Sequence, residues 1–132
     1  MSRYLWQPER HALGIEAMDR THAECLALAR ALEECPQDQL APRFAELIGH
    51  TEAHFAAEEA RMQASACPST PEHQAEHRRV LGDLRRFASS LARGRPAMLR
   101  AYLAEGFAEW LEQHVATMDA ALAAHLKTCG ES

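Results

Sequence analysis

The sequence predicts an all-α protein, an up-down-up-down four-helix bundle preceded by an N-terminal arm. Three observations carry this. Four stretches place apolar residues at alternating steps of three and four, the mark of a helix with one buried face. Cys35-Pro36, Cys67-Pro68 and Gly94-Arg95-Pro96 separate those stretches with helix-stopping residues. Alanine is plentiful, while glycine (6 residues) and aromatics (6%) are scarce, a balance that favours helix over strand. Helices joined by such short connections turn back on one another, which gives the antiparallel bundle.

Residues 1–15 have no clean period and read as the arm, which ends near Leu13-Gly14-Ile15. The first helix is expected over about 16–34, with an inward stripe of Ile15, Met18, His22, Cys25, Ala29 and Leu32. The second is expected over about 40–65, starting near a proline tolerated in a first turn; Phe44, Leu47, Thr51, His54, Glu58 and Met62 face inward. Ser69-Thr70-Pro71-Glu72 supplies capping residues for a third helix over about 70–93, carrying His73, His77, Val80, Leu84, Phe87 and Leu91. The fourth is expected over about 97–126, with a frayed tail from Lys127 to Ser132. No internal repeat or second domain interrupts 1–132, so one domain is expected.

Charge and hydropathy narrow the function. A formal charge of −5 gives no basic footprint for nucleic acid. No apolar run approaches the ~20 residues of a membrane span, so no membrane insertion is expected. Met1-Ser2-Arg3-Tyr4 leads into Trp6 and Pro8 rather than the apolar stretch of a secretory signal, and the cytoplasm is the expected location. Cys25, Cys35, Cys67 and Cys129 are scattered without a CxxC pair and read as free thiols, not a zinc or iron–sulfur site.

The informative residues are ionisable ones on the inward stripes. His22, His54, Glu58, His73, His77 and His114 occupy such positions across all four helices. Each polar group buried without a partner costs several kcal/mol, which a domain stable by about 5–15 kcal/mol cannot absorb six times over. A metal centre gives every one of them a partner. His54 and Glu58 are four apart, as are His73 and His77, so each pair stacks on one helical face. Imidazole with carboxylate suits iron, zinc or copper. The number of donors argues for two ions, since one tetrahedral zinc needs only four.

The fourth helix poses a geometric problem. His114 and Asp119 are five apart, about 140° around a regular helix. Upstream the stripe reads Leu103, Phe107, Trp110 and His114; downstream it reads Asp119, Leu122 and Leu126, out of phase by one residue. A π turn between His114 and Asp119 would absorb the extra residue.

These residues also resemble a known family. His22, then His54-Phe55-Ala56-Ala57-Glu58-Glu59, His73-x-x-x-His77, and Trp110-Leu111-x-x-His114-x-x-x-x-Asp119 are similar to the hemerythrin motif set. Leu13-Gly14-Ile15, Asp19-x-x-His22, Trp6 and Met62 resemble its bacterial branch. The resemblance implies a non-heme centre of two iron ions (Fe2+/Fe3+) with a bridging oxo or hydroxo group and dioxygen as ligand. It assigns His73, His77 and His114 to one iron, His22 and His54 to the other, and Glu58 and Asp119 as bridges. It further implies a dry dioxygen pocket, for which Phe55, Trp110, Leu111 and Val115 are the expected lining.

Around these, Thr21 stands where many relatives carry glutamine. Cys25 is expected to be an inert buried thiol, and His50 lies at the stripe's edge. His11 and His125 are expected to face solvent, and Glu59 to be a surface residue. Ferritin-like bundles need Glu-x-x-His pairs, which this sequence lacks. Zincin patterns need a glutamate beside the first histidine of the pair. The resulting expectation is a monomeric, non-enzymatic dioxygen-binding protein for storage, scavenging or delivery, with any oxygen-consuming partner enzyme unidentified. The alternative is a di-iron enzyme or protective protein acting on peroxide or other small oxidants. With no acid or base expected beside the ligands, binding is favoured over turnover.

Overall fold

The structure is a computed structural model and describes residues 2–132. The arm contains one helical turn, α1 (Pro8–His11), followed by α2 (Glu16–Glu34), a 3₁₀ turn (Gln37–Gln39), α3 (Leu40–Ala64) and α4 (Thr70–Ala92). The fourth long helix is built in pieces: α5 (Pro96–Ala101), a π turn (Tyr102–Gly106), α6 (Phe107–His114), a second π turn (Val115–Asp119) and α7 (Ala120–Thr128). Each long helix packs on its neighbour in sequence, and α2 also meets the fourth helix at Tyr102–Gly106, which closes the bundle. None of the described helices is long and apolar enough to cross a membrane.

The second π turn falls where the slip in the apolar stripe requires it. The first was not expected from the sequence, yet it has a signature there. Leu99, Leu103, Phe107, Leu111, Val115 and Asp119 are all buried and follow one another at unbroken steps of four. On a regular helix each such step drifts by about 40°, so the row would wind off the core within two turns. The wider π turns take up that drift and keep the row inward. Gly106 is the enabling residue of the first: a Cβ there would lie 2.8 Å from the Tyr102 ring, which stacks on Phe87 at 4.3 Å.

Two apolar clusters fill the bundle. The larger includes Tyr4, Cys25, Phe44, Phe55, Val80, Leu84, Phe107, Leu111 and Val115. The smaller comprises Ile15, Met18, Met62, Cys67, Leu122, Ala123 and Leu126. Along α2, α3 and the fourth long helix the buried histidines and carboxylates sit between a residue of one cluster and a residue of the other, and on α4 His73 and His77 lie between Cys67, just before the helix, and Val80. Met18 and Cys25 flank His22, Phe55 and Met62 bracket Glu58, and Val115 and Leu122 bracket Asp119. The polar level is thus sealed above and below by apolar packing.

Two local features fix the ends. Gly14 has φ +83°, a left-handed turn open to glycine, and the Leu13 and Gly14 amides donate to Asp19 at 2.7 and 3.2 Å. Asp19 thereby sets where α2 begins, one turn before His22. At the other end the tail is not frayed. Gly130, at φ +88°, donates to the Lys127 carbonyl, and the Glu131 amide to Leu126, a Schellman closure. Glu131 also pairs with Arg61 at 2.7 Å.

Candidate metal centre

Seven side chains from the four long helices converge at the polar level: His22, His54, Glu58, His73, His77, His114 and Asp119. Each is at most 6% exposed. All five histidines turn Nε2 toward the two carboxylates, and the carboxylate oxygens divide the histidines between them. Glu58 Oε1 faces His77 at 3.2 Å and His73 at 3.5 Å, while Oε2 faces His54 at 2.8 Å and His22 at 3.4 Å. Asp119 Oδ1 faces His73 at 3.0 Å and His114 at 3.2 Å, while Oδ2 faces His22 at 2.9 Å. Two overlapping donor sets result. One contains His73, His77 and His114, the other His22 and His54, and both contain Glu58 and Asp119.

The contacts fit metal better than hydrogen bonds. His22 Nε2, His77 Nε2, Glu58 Oε1 and both Asp119 oxygens are buried without a hydrogen bond of acceptable geometry, despite these short distances. His73 and His114 bring two Nε2 atoms to 3.2 Å, which neutral imidazoles favour only if something lies between their lone pairs or one proton is shared. Neighbouring donors on an octahedral ion with bonds of about 2.1 Å lie about 3.0 Å apart, and the observed edges cluster there. Orphaned buried donors at metal-edge distances are the test this site passes.

Electrostatics in the metal-free chain point the same way. Burial penalises charge on His22 and His73, but Asp119 and Glu58 outweigh it and raise both imidazoles to about 9. Burial would raise Glu58 too, but His22, His54, His73 and His77 hold it well below the usual carboxylate range. Asp119 is held low by His114, His22 and His73 against burial and the charge of Glu58. Protons take the place of cations in this cluster.

Aromatic rings brace the three-histidine half. Phe55 lies flat on His77, with centroids 3.8 Å apart and planes 3° apart. Trp110 stacks on His114 at 4.6 Å, and its Nε1 donates to Glu76 at 2.8 Å. Neither borders the large cavity beside the two-histidine half. That cavity, about 450 Å³, runs from the arm to His22; Leu26, Ala108, Leu111 and Val115 form its inner wall. The arm roofs it with Arg3, Gln7, Arg10 and His11, and Arg3 and Arg10 both pair with Glu112 on α6. Of the four residues expected around dioxygen, the structure therefore places Leu111 and Val115 in one place and Phe55 and Trp110 in another.

Two residues read from the sequence as solvent-facing belong to this region. His11 lines the cavity, its Nδ1 accepting the Gln7 amide at 2.9 Å, and burial followed by Arg10 lowers its basicity. Glu59 is no idle surface residue: its Oε2 lies 2.8 Å from His77 Nδ1. No one-dimensional signal marks either, because the arm is aperiodic and the partner of Glu59 sits on another helix. His50 stays outside both donor sets, 3.6 Å from Glu24. Thr21 donates to the Ala17 carbonyl at 2.9 Å. His125 reaches the Ser65 carbonyl at 2.8 Å. Cys25 is buried with its thiol pushed up to about 12 by burial, an inert group; all four cysteines are free.

Comparison with known proteins agrees with this geometry. A family model described as the hemerythrin HHE cation-binding domain matches residues 13–126. The chain belongs to the hemerythrin family. It is 35% identical over 114 residues to a bacteriohemerythrin of Ralstonia nicotianae (strain ATCC BAA-1114 / GMI1000), covering 86% of this chain and 82% of that one. The family match begins at Leu13, so the arm's first twelve residues, including the cavity roof, lie outside it. Within this hemerythrin the matched region spans all seven converging side chains.

Proposed function

We propose that this hemerythrin binds dioxygen reversibly at a non-heme di-iron centre, serving oxygen storage, scavenging or delivery. One observation carries the reading, namely the unequal division of donors around two shared carboxylates. His73, His77 and His114 with Glu58 Oε1 and Asp119 Oδ1 offer one iron five donors. His22 and His54 with Glu58 Oε2 and Asp119 Oδ2 offer the other four. With a bridging oxo or hydroxo group the first set would be complete, and the second, whose His22 borders the cavity, would keep room for dioxygen. Two ferrous ions so held supply the two electrons that binding of dioxygen draws on.

The chain's own residues do the rest. Leu26, Ala108, Leu111 and Val115 give the cavity an apolar inner wall beside His22, while Arg3, Gln7, Arg10, His11 and Glu112 make its outer part polar. The arm covers that cavity. Phe55 and Trp110, stacked on His77 and His114, hold the filled half rigid. The free thiols fit a reducing compartment, and we place the protein in the cytoplasm.

The test is an absorption spectrum of the anaerobically reduced, iron-loaded protein. A visible charge-transfer band is expected to appear on exposure to dioxygen, vanish under vacuum and return. Irreversible oxidation with turnover of added peroxide would overturn the binding reading. That second reading is favoured by one observation, His11 in the cavity wall, a titratable side chain that is not a ligand yet shares a space with His22.

A further inference from the structure

We propose that Glu59 is a positioning residue for the three-histidine half of the centre, acting on the metal through His77. The proposal rests on the di-iron reading above and adds to it a residue outside the donor set. Glu58 and Glu59 are neighbours on α3 with different destinations. Glu58 turns inward to the cluster; Glu59, about 100° further round the helix, reaches α4 and meets His77 Nδ1 at 2.8 Å. On the same ring, Nε2 faces Glu58 Oε1 at 3.2 Å. Phe55 lies against the ring face at 3.8 Å. The imidazole is therefore held at Nδ1 and on one face, with its unpartnered Nε2 aimed at the cluster.

The chemical consequence follows from the hydrogen bond. An Nδ1–H donated to a carboxylate selects the tautomer whose Nε2 lone pair is free, turns that lone pair to the cluster and makes it a stronger donor. The contact is singular among the described residues: the Nδ1 atoms of His22 and His73 are buried without a partner, and His54 and His114 make their hydrogen bonds through Nε2. One half of the centre thus carries an extra negative charge one ring away, and the other does not. That asymmetry favours the more oxidised state of the iron bound by His77. It also holds this iron the more tightly. With its side chain 30% exposed, Glu59 can be replaced without hollowing the core.

Two variants separate charge from orientation. In Glu59→Gln the amide oxygen still accepts from Nδ1–H, so orientation persists and charge is lost; Glu59→Ala removes both. Wild type and variants are titrated anaerobically with ferrous iron against a chromogenic chelator, reduction potentials of the loaded proteins are recorded, and melting of the metal-free chains is compared. Wild type is expected to take up two irons. Glu59→Ala is expected to bind one of the two about 10–100-fold more weakly, the cost typical of losing such an outer partner. Glu59→Gln should lose less affinity yet show a more positive potential, with metal-free melting close to wild type. Unchanged affinity and potential in both variants would overturn the role of Glu59. So would a loss of affinity accompanied by an equal loss of metal-free stability, which would mark a mere pin between α3 and α4. Fewer than two irons in wild type would instead overturn the di-iron reading, and this inference with it.

Discussion

Replacing Glu58 with alanine is expected to strip both metals from the protein, not one. Its two oxygens serve different halves: Oε1 faces His73 and His77, Oε2 faces His22 and His54. No histidine has that reach. His54→Ala should therefore deplete only the half containing His22, and His77→Ala only the half containing His73 and His114. For Glu58→Ala we expect affinity for both irons to fall by more than the 10–100-fold typical of an outer partner, leaving close to no iron after desalting. The metal-free variant should also melt lower than wild type, because Glu58 is a partner of His22, His54, His73 and His77 and its loss leaves their burial less compensated. Iron per chain by elemental analysis checks this. Selective loss of a single iron in Glu58→Ala, or undiminished iron in either histidine variant, would contradict the assignment.

The second large effect is a reversal of pH dependence on loading. In the metal-free chain His22 and His73 bind protons more tightly than in the unfolded state, with values raised to about 9. A raised imidazole stabilises the fold fully below the unfolded value near 6.5, and that stabilisation is lost as pH climbs through about 9. Glu58 and Asp119 run oppositely: held low in the fold, they stabilise it above the unfolded value near 4 and cease to as acid protonates them. The metal-free chain should be most stable between about pH 4.5 and 6.5, losing on the order of 3 kcal/mol by pH 9. The two histidines share the same carboxylates, so their contributions do not simply add. In the loaded protein metal replaces those protons, and acid becomes the threat, releasing iron as the imidazoles protonate. Urea unfolding at pH 6 and 8 should give opposite slopes for the two forms. Parallel slopes would mean that protons and metal do not compete for this cluster.

Much of this was legible in one dimension, for a physical reason. A buried ionisable group is conspicuous on an apolar stripe, and His22, His54, Glu58, His73, His77 and His114 each interrupt one. Asp119 was readable only through the phase slip beside it, which the π turn Val115–Asp119 resolves. The π turn Tyr102–Gly106 went unexpected because Leu103, Phe107 and Trp110 keep ordinary spacing; the unbroken steps of four from Leu99 reveal it only when buried neighbours are known. Glu59 lies one residue off its stripe and takes its meaning from α4. The arm is the other gap. Tyr4 anchors it by donating its hydroxyl to the Leu103 carbonyl, a contact across 99 residues that no period announces. The same arm carries Arg10 and His11 over the cavity beside His22.

The most direct test of the two unequal half-sites is anomalous diffraction at the iron edge from crystals of the iron-loaded protein. We expect two peaks per chain, one ringed by His73, His77 and His114, the other by His22 and His54 beside the arm-covered cavity, with Glu58 and Asp119 touching both. A single peak, or a second peak away from His22 and His54, would contradict the account.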